Sequence, residues 1–197
     1  MRERLKQLKP KDIITVVLLA AIAIVTVLFV FNSLKGNTFN DCMIQEEGVT
    51  YSGTYYEMEQ TTLALKDGSE LELDFITYLP EHKELQFGFS LPESEMLVNK
   101  EPFTMKLYSA KTGKEVTQSP LYAFDVRDGQ YHYRAILKDA KIDVEASEDL
   151  ILELKSTSGE LVYSEVFIRK DTLFIENDFS KLDKNLVIVI SYESPNE

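Results

Sequence analysis

Two histidines, His82 and His132, one cysteine, Cys42, and a surplus of carboxylates are the residues of this 197-residue chain whose types could do chemistry. His132 lies between Tyr131 and Tyr133, and at strand spacing it shares a face with Arg134, opposite the tyrosines. An imidazole beside a guanidinium could grip a carboxylate or a sugar; the plainer reading is a solvent-facing strand histidine. His82 falls in Pro80-Glu81-His82-Lys83, a polar stretch that reads as a solvated turn. Two distant histidines and one cysteine cannot assemble a structural zinc site, and H-E-x-x-H is absent.

Nucleophilic catalysis needs a serine or cysteine beside a base and an orienting acid. The sequence has no G-x-S-x-G, and Cys42 falls ahead of the segment expected to fold. Asp125/Asp128 and Glu176/Asp178/Asp183 are expected in loops, where they could offer oxygen ligands to calcium, but neither cluster follows the D-x-[DN]-x-[DN]-G pattern. A carboxylate pair for glycoside hydrolysis is uninformative among so many acids. No catalytic, cofactor-binding or metal-ligating residue is therefore assigned, and no cofactor is implied. Tyr51, Tyr55 and Tyr56 could form an aromatic platform for sugar or protein, or serve as ordinary sheet residues.

The elements that must carry these residues read as strands. Leu71, Leu73 and Phe75 alternate with acids, and Leu85, Phe87, Phe89 and Leu91 alternate with Gln86, Gly88 and Ser90, a period of two. Phe103/Met105/Leu107, Tyr131/Tyr133/Ala135/Leu137 and Leu150/Leu152/Leu154 repeat the pattern. Asp67-Gly68, Thr112-Gly113, Asp128-Gly129 and Ser158-Gly159 mark turns between them. The run Leu186–Tyr192 is almost continuously apolar and predicts a central strand covered on both faces. Met96-Leu97-Val98 predicts an additional short strand.

One hairpin can be registered. A two-residue Asp67-Gly68 loop would pair leucines with carboxylates. A three-residue loop, Lys66-Asp67-Gly68, pairs Leu63 with Leu71 and Thr61 with Leu73, with Gly68 where φ must be positive. Tyr56 and Met58 have the opposite parity, which predicts a break near Gln60. In the Ser158-Gly159 hairpin, Val162 and Val166 compete with Tyr163 and Phe167 for the inward face.

Residues 13–31, IITVVLLAAIAIVTVLFVF, contain no charge, proline or glycine and suit a single membrane span of about 28 Å at ~1.5 Å per residue. The run is too long for a signal core and lacks an A-x-A cleavage pattern, which predicts an uncleaved anchor. Of the 21 basic and 33 acidic residues, five basic and two acidic precede the span, leaving sixteen and thirty-one after it, +3 against −15. Basic residues stay on the cytoplasmic side, so residues 1–12 form a short cytoplasmic tail and the bulk lies outside. That acidity excludes nucleic acid and argues against anionic headgroups as partners. It serves the solubility of an exposed domain, or less simply a basic partner.

With one cysteine and no tryptophan, no internal disulfide framework exists. Residues 32–53 read as a juxtamembrane linker, in which Cys42 could pair with a second copy or simply remain a free thiol. Residues 54–197 are expected to form a mostly β ectodomain, an antiparallel β-sandwich, immunoglobulin-like in the broad sense, with a closed barrel as the alternative. The functional expectation is a non-enzymatic interaction or assembly module at the cell envelope, engaging a protein partner or envelope polymer. The alternatives are a cell-wall glycan- or peptide-binding domain and a hydrolase with an unrecognised carboxylate site.

Overall fold

The computed structural model describes residues 39–93, 101–117, 120–145 and 148–191, and residues 37–197 belong to one compact unit. The expected tail, the expected span and Met96-Leu97-Val98 lie outside the described residues. Among those described, no helix is long and apolar enough to cross a membrane. The chain is mostly β. Its strands are β1 (Met43–Glu46), β2 (Thr54–Met58), β3 (Thr61–Ala64), β4 (Glu70–Leu79), β5 (Glu84–Pro92), β6 (Phe103–Ser109), β7 (Leu121–Arg127), β8 (Gln130–Leu137), β9 (Leu150–Ser156), β10 (Leu161–Ile168), β11 (Ile175–Asp178) and β12 (Val187–Ile190).

Two antiparallel sheets carry the fold. The larger runs β11-β2-β4-β5-β8-β7, with β3 paired to β4, and the smaller runs β10-β9-β6. Their facing sides share one core, in which Phe87, Phe89, Tyr133 and Leu137 from the large sheet meet Met105, Leu107, Leu152 and Leu154 from the small one. These are the inward members of the period-two runs, and each is at most 1% exposed. Full burial of such a side chain contributes roughly 1.5–3 kcal/mol, so this layer is the main source of stability. Phe89 stacks on Tyr133 with centroids 5.2 Å apart, and Tyr122 meets both edge-on.

The hairpin register is the expected one. Leu63 faces Leu71, Thr61 faces Leu73, the Leu65 N–H donates to the Ser69 carbonyl, and Gly68 has φ 88°. The predicted break also falls in place: β2 ends at Met58 and β3 starts at Thr61. Opposite this break β4 is irregular, with Phe75 at φ 42° and a register shift against β5 between Asp74 and Thr77. The inward residues therefore change from Leu71 and Leu73 to Ile76 and Tyr78, as those of the partner strand change from Leu63 to Met58. The β9–β10 hairpin resolves its competition with two register shifts, one beside Val162 and one beside Phe167. Tyr163 points inward while Val166 is left 39% exposed.

Two expectations about the elements are overturned. Residues 39–53 are folded against the domain rather than serving as a linker: a 3₁₀ turn at Phe39–Asp41 leads into β1, and Cys42, Met43 and Ile44 are fully buried. Leu186–Tyr192 does not form a central strand. Its β12 pairs only with β1, in parallel, and Val189 is 58% exposed. A short apolar run signals burial but not the number of neighbouring strands. β1 and β12 cover part of the outer face of the large sheet, with Ile44, Ala123, Ile136 and Ile188 in contact. The strand buried on both faces is β5, where Gln86 on the polar side is as inaccessible as Phe87.

Candidate interaction groove

The residues singled out in the sequence are distributed by this layering. Arg134 does not sit beside His132 at a solvent-facing surface; it is completely buried beneath the strap formed by residues 39–46. Its guanidinium donates to the Thr77 hydroxyl at 2.8 Å and to the Phe75 carbonyl, and lies 5.0 Å from the centroid of the Phe75 ring. Desolvation pulls its pKa down to about 9, so it remains charged at neutral pH. Beside it, Gln86 acts as a strand in miniature. Its Oε1 accepts from the Ile44 N–H at 2.9 Å and its Nε2 donates to the Ile44 carbonyl at 2.8 Å. Both main-chain groups of a fully buried residue are thereby satisfied on the edge of β1 that faces away from β12. Gly88 completes the fit, since a Cβ there would lie 2.1 Å from the Asn40 carbonyl oxygen.

His132 is half-buried, and its Nδ1 is 2.9 Å from the Ser90 hydroxyl, which also accepts from the Asn40 side-chain amide at 3.3 Å. Asp125 stands opposite His132 on β7, a strand rather than a loop. Serine, histidine and aspartate thus occupy one row, but the Asp125 carboxylate is turned to Arg127 and to the Val126 N–H. Of that row, Ser90 is bonded to the strap, through the Asn40 side-chain amide. His82 is not a solvated turn residue: its ring lies 4.5 Å from that of Tyr51, and its Nε2 is buried without a hydrogen bond. Tyr51 and Tyr55 are each 5% exposed and form no surface platform; the Tyr51 hydroxyl donates to buried Glu84.

Cys42 belongs to the strap and is fully buried, with burial and nearby Asp41 pushing its thiol pKa up, so it is not presented to a second copy. Asp178 and Asp183 cap short 3₁₀ turns through the Ser180 and Asn185 N–H groups. Among the described residues, no group of three His, Cys, Asp or Glu side chains is placed to hold a metal ion.

A groove of about 540 Å³ runs along one side of the domain, between β3 and β10. Among the described residues each of these strands pairs on one side only, β3 with β4 and β10 with β9. The Lys66 N–H donates to the Val162 carbonyl at 3.0 Å and joins the two edges at one end. Beyond that bond, Met58, Leu63, Ile76 and Tyr163, all core residues, form the floor. Glu59, Glu165 and Asp171 stand exposed on the rim against a single base, Arg169. The sequence marked this place only through the break near Gln60; the pairing of one strand edge with another is a tertiary fact that no local period carries.

The architecture is that of a β-sandwich with a strapped outer face and an open side. No protein-family model matches the chain, and no curated protein or solved structure matches it either.

Proposed function

We propose that the chain is a membrane-anchored, extracytoplasmic, non-enzymatic interaction module whose immunoglobulin-like sandwich holds a protein partner at the cell envelope. The observation that carries this reading is the side groove, where two strand edges flank an apolar floor; edge strands are ready templates for another chain. The anchor rests on the uncharged run 13–31 and on the +3 to −15 charge asymmetry across it, with the N-terminus cytoplasmic. The buried positions of Tyr51 and Tyr55 favour a protein partner over a glycan, which calls for exposed rings.

Photo-crosslinking in native membranes tests this. A crosslinking residue in place of Thr62, in the groove, is expected to capture a discrete polypeptide, whereas one in place of Glu115, exposed beside the opposite edge of the small sheet, is not. Equal yields from both positions, or none from either, would contradict the reading.

A further inference from the structure

Resting on that reading, we infer that the groove takes an extended, basic segment of a different protein, added as a strand to the free edge of β3. Hydrogen-bond parity sets the docking surface. The Leu65 N–H bonds to Ser69 across the hairpin, so Leu63 and Thr61, two and four residues earlier, also turn their main-chain groups toward β4. Thr62 and Ala64 therefore turn theirs toward β10, and the Lys66–Val162 bond continues the same parity. Beyond it, the chain runs from Lys66 back to Glu59 while β10 runs forward to Arg169, leaving the slot between them unladdered. An added strand would bond to Thr62 and Ala64 and send alternate side chains down to Leu63 and Tyr163 and up to the rim.

Charge selects the class of occupant. Three rim acids face one base, and the region after residue 31 carries a net −15. Basic residues at the outward positions would meet Glu59, Glu165 and Asp171, whereas a second copy of this acidic chain would meet its own sign. Of the rings that line the slot, Tyr163 is buried in the core and Phe167 is partly buried against it.

The test uses the purified full chain and a short fluorescent peptide of alternating lysine and valine, with the glutamate–valine peptide and a chito-oligosaccharide as competitors. Saturable binding of the lysine peptide, with slowed amide exchange at Thr62 and Ala64, is expected. Thr62→Pro, which deletes an outward N–H and leaves the β4 ladder intact, should weaken binding about tenfold or more, since one main-chain bond and the strand geometry are lost. Glu165→Lys should weaken it by about fivefold, and Glu115→Lys, on the distant edge, by less than twofold, the ratio expected when one close charge pair is reversed. Equal binding by Thr62→Pro, protection away from β3, displacement by the oligosaccharide, or concentration-dependent self-association that blocks the slot would each overturn the assignment. Protection at another surface together with a crosslinked partner would remove the groove while sparing the interaction reading; loss of both would remove the reading as well.

Discussion

The strap over Gln86 and the slot beside β3 meet the same physical problem and answer it differently. In both places main-chain polar groups lie next to an apolar layer with no strand along one edge, β1 being paired to β12 and β3 to β4 on the other. Under the strap, the Gln86 amide supplies the missing partner, and Ile44 is fully buried. At the slot, Thr62 and Ala64 keep one side of their main chain unladdered, and the recess stays open to solvent. A closed arrangement fixes where residues 39–46 sit; an open one leaves a position for another chain. Closure therefore belongs to the architecture, and the open edge is where the proposed partner strand would add.

Breaking the closed side should have the largest effect. Gln86→Leu leaves the Ile44 N–H and carbonyl buried without partners and should cost about 2–5 kcal/mol, read from denaturant midpoints at unchanged m-value. Gly88→Ala drives a methyl group into the Asn40 main chain and should cost about 1–3 kcal/mol. Because it lifts the strap, it should also raise the alkylation rate of Cys42 by about tenfold or more, since that thiol is inert only while buried.

Alkaline pH probes the core behind the strap. Burial raises Tyr78, Tyr122, Tyr133 and Tyr163 above their ordinary pKa, and Tyr55 to about 12. A group held up in the folded state adds stability below its unfolded pKa, near 10, and that stability is lost as pH rises through the folded value. Arg134, held down at about 9, works the other way as pH rises above about 9. Five phenols against one guanidinium give a net loss, and unfolding midpoints should fall from about pH 10 upward. Flat midpoints to pH 12 would show that the rings are not sealed.

The open side should be nearly silent in stability. Thr62→Pro is expected to change it by no more than about 0.5 kcal/mol, the range of exposed substitutions away from packed or bonded groups. A cost comparable with that of Gln86→Leu would mean that the β3 edge is already occupied.

How far each region could be read in advance follows from the kind of signal it uses. The Leu63–Leu71 register and the Gly68 turn were legible because period two and a required positive φ are local. The break near Gln60 was legible for the same reason, as a change of parity. The strap was not, since Gln86, Ser90 and Arg134 alternate with apolar residues just as solvent-facing positions do. Gly88 was the available clue: a glycine inside a strand often marks a close main-chain approach, here that of Asn40. The apolar run at β12 misled because a strand with one partner and a strand with two can have the same composition. The slot arises from two edges more than ninety residues apart in sequence, and only the structure brings them together.

Residue-resolved hydrogen exchange on the purified full chain tests the contrast most directly. The Ile44 amide, held by Gln86, should exchange only through strap release or global unfolding, while Thr62 and Ala64 should exchange near the rate of exposed amides until a partner strand is added. Protection of Thr62 and Ala64 equal to that of Ile44 in the isolated chain would contradict the account.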